Sequence, residues 1–500
     1  MSQSLNFLAF DLGAESGRAM LGRLADGRLS LAEVHRFANG PVRVPGKDGR
    51  VSLHWDALHL WNEIQQGIAL AGREGPLAGI GVDTWGVDFG LLNRHGRLIG
   101  NPYHYRDGRT DGMLAEAFCR APQAEIFDQT GIQFLQINSL YQLLSMSLSG
   151  APELAEAETF LPMPSLFSYW LSGRAACEFS IATTTQCYNP RLAGWATPLI
   201  KALGIPTGIF PEVIPAGTVL GPLQTALAEE MGVGPVPIIA PACHDTGSAV
   251  AAVPAAGGER RNDFAWISSG TWSVMGAELA EPLITSQSLA YDFTNEGGAG
   301  HTFRFCKNIM GLWLLQECRR VWAGQGDART YAELTEMAAG ASPFCSVINV
   351  DDSDFLKPGD MPERIRAFCR RTGQEAPDEK GALVRCILEG IALKYRLLLE
   401  RLEEMLGRRL EPIHIVGGGA QSRLLSRFTA DATGRVVVTG PVEATAAGNI
   451  LVQAIALGHL GSLNEVRAMV RDSFEMVTFE PGRRDGWDEA YARLKELPSS

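Results

Sequence analysis

Residues 7–24, FLAFDLGAESGRAMLGRL, form an apolar run, a turn of small residues and a second run in which apolar residues alternate with others. Residues 264–279, FAWISSGTWSVMGAEL, repeat this design about half a chain later. Such runs on either side of a glycine-containing turn predict a β-hairpin. One hairpin near the start of each half predicts two duplicated α/β domains that face each other across a cleft.

The turns of both hairpins consist of small residues, at 13–17 and at 268–271. Glycine adopts positive φ without strain, and backbone N–H groups in such turns can face an anion. The pair of turns therefore indicates phosphate binding. A single glycine turn between short strands would be explained equally well as ordinary structure.

Other segments show the periodicity of regular structure. Apolar spacing predicts strands at 80–83 and 237–240 and helices at 55–70 and 383–406. A further apolar strand at 413–416 runs into three glycines, and a helix is predicted at 422–432. A strand, a glycine loop and a helix in this order are typical of nucleotide binding, and the whole pattern predicts a mixed α/β protein.

Length and charge restrict the class of protein. A chain of 500 residues is too long for one hydrophobic core, so roughly two to four domains are expected. The net charge of −12 gives no positive field for a phosphate backbone, which argues against nucleic acid as a partner. Residues 1–4 are polar and Asp11 interrupts the first apolar run, so neither a signal peptide nor a membrane span is predicted. A cytoplasmic location follows as an expectation.

The nine cysteines show no CxxC pair and do not cluster with histidines, so no zinc site is predicted. Reduced thiols are the expected state. Cys369 and Cys386 flank a predicted helical segment, and the sequence leaves open whether they pair.

Two acidic residues follow predicted strands. Asp11 ends the first apolar strand, where an α/β sheet binds ligands, and one such carboxylate suits Mg²⁺ and its water shell. Asp245 follows the strand at 237–240 and is the candidate general base, because an attacking sugar hydroxyl must lose its proton. Turn bonding by Asp11 and helix capping by Asp245 are the structural alternatives. His244 either orients a substrate or fills an interior site.

Residues 83–88, DTWGVD, join two acids, an aromatic residue and a glycine in a predicted turn between strands. Carboxylates that accept hydroxyl groups and an aromatic face are typical of carbohydrate sites. Core packing of Trp85 and turn bonding by Asp88 would explain the same residues.

Several ordered motifs together resemble the FGGY family of carbohydrate kinases, and within it the members that act on L-rhamnulose. They are DLGAESGR (11–18), GVDTWGVDFGLL (81–92), YRDGRT (105–110), SGTWS (269–273), TNEGGA (294–299), KNIMGLWLLQ (307–316), HIVGGGAQ (414–421) and GPVEATAAGNI (440–450). The resemblance covers nearly the whole chain. It implies two ribonuclease-H-like domains of the actin and hexokinase type on either side of a central cleft, and phosphorylation of L-rhamnulose by ATP with Mg²⁺ to give L-rhamnulose 1-phosphate and ADP.

The resemblance also assigns residues, motif by motif. It implies Asp245 as catalytic base and Asp11 as the acid near Mg²⁺. ATP would be bound by Ala14, Glu15, Ser16, Gly17, Arg18, Thr271, Gln316 and Gly418, and the sugar by Gly86, His244, Asp245, Thr246 and Asn308. The chain departs from the family where Glu15 replaces a small hydroxyl residue and where residues 163–170 lack a lysine.

The implied domains are a sugar-binding domain at 1–253, a nucleotide-binding domain at 254–477 and a final helix at 478–500 that packs back on the first domain. The domain boundary is expected in residues 253–258, which are rich in Ala, Pro and Gly. A monomer and a weak dimer both remain open.

Two alternatives remain at this stage. One is an FGGY kinase for another acceptor, such as fuculose, xylulose or glycerol, because the fold and ATP site would be unchanged. The other is a non-catalytic, ATP-gated actin-like module that uses the same hairpins without a phosphoryl acceptor.

Overall fold

The computed structural model describes residues 4–47, 49–256, 263–482 and 484–497. Several parts of the sequence interpretation lie outside these ranges: residues 1–3 of the N-terminus, residues 257–262 at the expected start of the second domain, and residues 483 and 498–500 of the expected final helix. The chain divides into two compact units. The first contains Met1–Ala256, Glu278–Phe305 and Ala444–Ser473, and the second contains Gly257–Ala277, Cys306–Glu443 and Phe474–Ser500.

The strands are β1 Leu5–Leu12, β2 Ser16–Ala25, β3 Arg28–Ala38, β4 Pro41–Pro45, β5 Val51–Trp55, β6 Leu77–Thr84, β7 Phe89–Leu92, β8 Thr159–Pro162, β9 Cys177–Glu178, β10 Tyr188–Asn189, β11 Gly194–Trp195, β12 Val213–Ile214, β13 Thr218–Pro222, β14 Pro237–Ala240, β15 Ala265–Ser269, β16 Trp272–Leu279, β17 Thr294–Gly297, β18 Phe303–Met310, β19 Ile413–Val416, β20 Val437–Thr439 and β21 Val477–Phe479.

The α-helices are α1 Ala57–Arg73, α2 Met113–Arg120, α3 Gln123–Thr130, α4 Ser139–Ser149, α5 Pro152–Ala155, α6 Met163–Ser172, α7 Phe179–Thr184, α8 Thr197–Ala202, α9 Thr225–Met231, α10 Asp245–Ala251, α11 Ser286–Ala290, α12 Trp313–Gly324, α13 Tyr331–Gly340, α14 Met361–Arg371, α15 Lys380–Leu406, α16 Arg423–Thr433, α17 Ala444–Ala456, α18 Leu463–Ser473 and α19 Trp487–Glu496. Single 3₁₀ turns cover Gly108–Thr110, Thr207–Ile209, Ala299–His301, Ser353–Phe355 and Gly418–Gln421.

The first unit is built on a six-stranded sheet in the order β13-β14-β6-β1-β2-β3. Strands β1, β2 and β3 form an antiparallel meander, and β6 and β14 continue the sheet parallel to β1. The side chains along the central strands β1 and β6 alternate between two covered faces, and Phe7, Leu8, Phe10, Ile80 and Val82 have no exposed surface. A sheet buried on both faces needs continuous apolar strands, which is what these segments supply.

Helices cover this sheet, and one of them comes from late in the chain. Helix α1 has one buried apolar face, formed by Leu60, Ile64 and Ile68. Helix α17 packs on β1, β6 and α10. A Cβ built on Gly448 of α17 would lie only 1.8 Å from the carbonyl oxygen of Ser248 in α10, so the two helices approach as closely as glycine allows.

The second unit repeats the plan of the first sheet. Its strands β15 and β16 form an antiparallel hairpin, β19 and β20 follow parallel to β15, and β21 is antiparallel to β20. The first unit shows the same sequence of relationships in β1, β2, β6, β14 and β13. The prediction of two duplicated α/β units, each beginning with a hairpin, is therefore confirmed.

The unit bounds differ from the three consecutive segments expected from sequence, because residues 278–305 and 444–473 join the first unit. Helix α19 forms close to where it was expected, but it belongs to the second unit, where it packs on α15 and α16. Trp487 provides the physical reason, since its buried ring contacts Phe344 and Phe428 of that unit. These contacts bury the helix in the second unit, whereas the resemblance implies a final helix that packs on the first domain.

Two further observations concern the chain as a whole. Within the described ranges no helix is both long and apolar enough to cross a membrane. Cys369 and Cys386 are free thiols, and a hydrogen bond with Cys386 lowers the pKa of Cys369.

Candidate active site

The polar residues of the first unit meet at one edge of its sheet. Strands β1, β6 and β14 are parallel neighbours, so their carboxyl ends lie side by side. Asp11 on β1 is the direct register partner of Asp83 on β6. Thr84, the next residue, forms a parallel bridge with His244 after β14. The segments that contain Asp11, Asp83 and His244 are far apart in the sequence but adjacent in the sheet. They lie at the edge where α/β sheets bind ligands.

Asp245 is the first residue of α10, and His244 is the residue that caps this helix. The backbone N–H of Thr246 donates a 2.5 Å hydrogen bond to Oδ1 of Asp245, and the Thr246 hydroxyl lies 3.2 Å from the same oxygen. The Asp245 side chain is 32% exposed, which makes it more open than Asp11 and Asp83. It is held at one oxygen and accessible to a substrate, as a general base must be.

Asp83 is the buried acid of the site. It has no exposed surface, and its Oδ2 accepts a 2.5 Å hydrogen bond from Asn449 on α17. Its Oδ1 is buried with no hydrogen-bond partner among the described residues. Burial raises the pKa of Asp83 well above its ordinary value, and the negative charges of Asp11 and Asp245 add to this effect.

Asp11 is the residue expected near a metal, and its surroundings fit one. The Arg18 guanidinium lies 2.5 Å from Asp11 Oδ2, and the two acids Asp11 and Asp83 repel each other in register. A divalent cation would relieve that repulsion and satisfy the buried Asp83 oxygen. In the described part of the chain, no group of three or more His, Cys, Asp or Glu is placed to hold a metal alone. Mg²⁺ does not need one, since it commonly uses one or two carboxylates with water and substrate phosphates.

The turn between β1 and β2 carries the five residues expected to contact phosphate, Ala14, Glu15, Ser16, Gly17 and Arg18. The N–H of Gly13 donates to the carbonyl of Ser16, which closes the turn, and Asn39 on the neighbouring segment bonds the carbonyl of Gly13. Gly17 is buried against Phe37 with no room for a side chain, while Glu15 is exposed. The charge of Glu15 therefore projects from the turn into solvent.

Within residues 83–88, one residue lies at the edge of the sheet with His244, and two others are buried in the core. Gly86 lies beside Thr184, at the same edge as His244. Trp85 and Asp88 are buried instead, and Asp88 Oδ2 accepts hydrogen bonds from the indole N–H groups of Trp55 and Trp85 at 2.6 and 3.0 Å. Core packing accounts for Trp85. The Asp88 carboxylate is held by the two indoles, by the Tyr105 N–H and by the Gln142 amide rather than by the backbone of its own turn. The expected sugar-facing wall therefore does not include these two side chains.

The second unit brings three expected nucleotide residues to one hairpin. The carbonyl of Thr271, in the β15–β16 turn, accepts the N–H groups of Gly311 and Trp313, and Trp313 begins α12, the helix that carries Gln316. Gln316 Oε1 is buried with no hydrogen-bond partner within the described residues. An unsatisfied buried oxygen of this kind is a ready acceptor for a ligand.

The glycine loop after β19 lies against the same hairpin. A Cβ on Gly419 would lie 2.0 Å from the Ser269 hydroxyl oxygen, so glycine is required there for close packing. Gly418 is exposed, and none of the described atoms lies within 4 Å of a Cβ placed on it. Asn308, expected to contact sugar, is also in the second unit, on β18 and half-buried.

Two residues beside His244 were not identified from sequence. Arg304 on β18 and Glu296 on β17 are buried in the first unit, and both lie within 3.2 Å of His244 Nδ1. Glu296 falls inside the TNEGGA motif, but nothing in the local pattern shows which strand it faces. The pairing of distant strands, and not their spacing in sequence, brings these side chains together.

Comparison with known proteins is consistent with this geometry. Residues 6–252 match the N-terminal domain of the FGGY family of carbohydrate kinases, and residues 265–457 match its C-terminal domain. The chain is 42% identical over 491 residues to the rhamnulokinase of Bacteroides thetaiotaomicron, covering 98% of this chain and 99% of that protein. It is 39% identical over 481 residues to the rhamnulokinase of Oceanobacillus iheyensis, covering 96% and 99%.

Among solved structures, the ligand-bound xylulose kinase from Lactobacillus acidophilus superposes with a TM-score of 0.79 at 15% sequence identity, covering 98% of this chain and 97% of that one. This likeness shows the fold, and the predicted two-domain α/β class is confirmed. The fold and the sequence matches define a carbohydrate kinase. The chain belongs to the FGGY family.

Proposed function

We propose that this protein transfers the γ-phosphoryl group of ATP to the primary hydroxyl of L-rhamnulose, giving L-rhamnulose 1-phosphate and ADP. The observation that carries the choice of sugar is the identity of 37–42% to rhamnulokinases over 95–98% of this chain. The sheet edge of the first unit supports the reaction type, because it presents one accessible carboxylate, Asp245, beside a histidine and a glycine turn.

In this proposal the first unit binds the sugar and supplies the base. The proposed sugar contacts are Gly86, His244, Asp245, Thr246 and Asn308. As the sugar oxygen attacks the γ-phosphorus, its proton passes to Asp245 and the bond from the γ-phosphorus to the bridging oxygen of ADP breaks. The proton then leaves Asp245 to solvent, which restores the carboxylate.

The second unit binds the nucleotide in this proposal, through Thr271, Gln316 and Gly418. The turn from Ala14 to Arg18 is the proposed phosphate contact, through its backbone N–H groups. Asp11 would hold Mg²⁺, and Asp83 is its register partner on β6. When bound, the metal neutralises negative charge on the phosphates.

An ADP-release assay across L-rhamnulose, L-fuculose, D-xylulose and glycerol, each with and without Mg²⁺, tests the proposal. We expect the highest kcat/KM for L-rhamnulose, dependence on Mg²⁺ and slow ADP release without sugar. A higher kcat/KM for another acceptor would make this a different FGGY kinase. No sugar-dependent ADP release with any acceptor would favour the non-catalytic, ATP-gated module.

We further propose a cytoplasmic location, where ATP is available. For the assembly we propose a monomer or a weak dimer, which sedimentation equilibrium can decide. A tight oligomer would contradict this part of the proposal.

A further inference from the structure

His244 lies between the base candidate and a buried ion pair. Its Nε2 is 3.3 Å from Oδ1 of Asp245. Its Nδ1 is 3.0 Å from Nη2 of Arg304 and 3.2 Å from Oε2 of Glu296. Arg304 Nη2 is in turn 3.1 Å from that Glu296 oxygen. All four residues belong to the first unit.

The chemistry of arginine decides which imidazole nitrogen carries the proton. A guanidinium only donates hydrogen bonds and stays protonated in proteins. The contact between Arg304 Nη2 and His244 Nδ1 has hydrogen-bond geometry, and we infer from it that Nδ1 is the acceptor. In a neutral imidazole the proton then resides on Nε2, because the partner of one nitrogen sets the state of the other. Nε2–H faces Asp245. The other tautomer would donate its Nδ1–H to Oε2 of Glu296, 3.2 Å away.

This arrangement concentrates donors on one oxygen of the base. Oδ1 of Asp245 receives the Thr246 N–H and lies near the Thr246 hydroxyl and His244 Nε2. Among the described residues none hydrogen-bonds to Oδ2. The carboxylate is thereby oriented by Oδ1, and Oδ2 is left to accept a proton from a substrate.

Burying the charged side chain of Arg304 costs desolvation free energy, and stability alone does not explain why it is buried. Its side chain has no exposed surface, its Nε donates to the carbonyl of Gly297, and its Nη1 is buried without a hydrogen-bond partner in the described ranges. A buried ion pair is often no more stabilising than apolar residues of similar volume. The buried charge has a function if Arg304 orients the imidazole of His244.

We propose that Arg304 is a positioning residue for phosphoryl transfer: it fixes His244 as the Nε2–H tautomer, which in turn orients Asp245 so that Oδ2 faces the acceptor hydroxyl. The inference rests on the proposed function, since it assumes that Asp245 is the base. It assigns no direct contact between Arg304 and the sugar.

The tautomer is measured without any reaction. We would label the histidines with ¹⁵N, record the long-range ¹H–¹⁵N spectrum of the full-length protein and assign His244 by the signals missing in His244→Gln. The expected result is a non-protonated Nδ1 and a protonated Nε2 for His244. A protonated Nδ1, which would donate to Glu296, overturns the proposal even if the protein is an active kinase.

The kinetic arm uses Arg304→Met and a matched control. Arg467 and Glu278 form another buried pair in the same unit, at 2.8 Å, with both side chains 3% exposed. Arg304→Met should lower kcat by about 10–100-fold, the usual effect of losing a partner that orients a functional group, with the KM for ATP within about twofold of the parent. Arg467→Met should lower the unfolding temperature with kcat within about threefold of the parent, since it removes no orienting contact.

Arg304→Lys protects the test against a folding defect. It retains a buried donor, so we expect a kcat between those of Arg304→Met and the parent, and a partial return of the Nε2–H signal. If Arg304→Met and Arg467→Met lower kcat equally, Arg304 is only structural and the proposal fails. Failure of the proposed function is distinct, because it would appear in the parent protein as absent sugar-dependent ADP release.

Discussion

The side-chain amide of Asn449 donates a 2.5 Å hydrogen bond to Oδ2 of Asp83, although the two residues lie 366 positions apart in the chain. Asn449 also accepts a hydrogen bond from Gln453, whose amide reaches the carbonyl of Leu8 on β1. Helix α17 is thus tied to the two central strands of the first sheet. The contact explains how a segment from the last eighth of the chain becomes part of the first unit.

Replacing Asn449 should destabilise the protein by leaving a buried acid without its donor. We expect Asn449→Ala to lower the free energy of unfolding by about 1–3 kcal/mol, the cost of an unsatisfied buried polar group. Asn449→Asp should be worse, because two acids would then face each other. The exchange Asp83→Asn with Asn449→Asp restores one amide and one acid, and denaturant unfolding should show recovery relative to Asn449→Asp alone. Additive losses in the double variant would contradict the pairing.

The close approach of α17 and α10 gives a steric prediction. Because a Cβ on Gly448 would lie 1.8 Å from the Ser248 carbonyl oxygen, Gly448→Ala must push the helices apart. We expect a loss of about 1–3 kcal/mol in unfolding free energy, as for other overpacked sites. Gly340→Ala is the control, since no described atom lies within 4 Å of its Cβ position at the end of α13. That variant should unfold like the parent, and equal losses in both would contradict the contact.

Asp88 should make the stability depend on pH. Burial raises its pKa from 3.8 to about 6 in the folded protein, so the folded state binds this proton more tightly than the unfolded state does. Its contribution to stability is therefore complete only below pH 3.8, declines as the pH rises from there through about 6, and falls by about 3 kcal/mol in total. The difference in unfolding free energy between the parent and Asp88→Asn should change by about 2.4 kcal/mol of this total between pH 4 and pH 7. A constant difference would show that Asp88 has an ordinary pKa.

Gly418 and Gly419, in the loop after β19, allow an effect on ligand binding to be distinguished from an effect on packing. Gly418→Ala adds a methyl group to open space and should leave the unfolding temperature unchanged. If ATP lies there, the variant should raise the KM for ATP by about tenfold, which corresponds to about 1.4 kcal/mol of binding free energy. Gly419→Ala, whose Cβ would meet the Ser269 hydroxyl at 2.0 Å, should instead lower the unfolding temperature. An unchanged KM in Gly418→Ala would remove Gly418 from the nucleotide site.

Local patterns in the sequence predicted the elements that carry the site. The hairpins at β1–β2 and β15–β16, the strand β14 and the glycine loop after β19 all formed where apolar runs and glycines indicated. Each of these depends on neighbours in the sequence, and the periodicity of side chains records such neighbours. The placement of Asp11 and Asp245 at strand ends followed from the same reasoning.

Contacts between distant segments could not be predicted in this way. The burial of Trp85 and Asp88, the pairing of Asn449 with Asp83 and the position of Arg304 beside His244 all depend on which strands and helices become neighbours. A fully buried acid such as Asp83 and a partly exposed one such as Asp245 look alike in sequence. Their different surroundings, set by tertiary packing, give them different chemistry.

The central claim is that Asp245 accepts the proton of the sugar hydroxyl, and Asp245→Asn tests it most directly. Steady-state kinetics with L-rhamnulose should show kcat reduced by about 100-fold or more, because a positioned base contributes at least that factor, while calorimetry shows ATP bound as in the parent. Asp56→Asn, which removes a carboxylate charge at the start of α1 in the same unit, is the matched control and should keep parental turnover. Turnover of Asp245→Asn within about tenfold of the parent, with ATP affinity intact, would contradict the account.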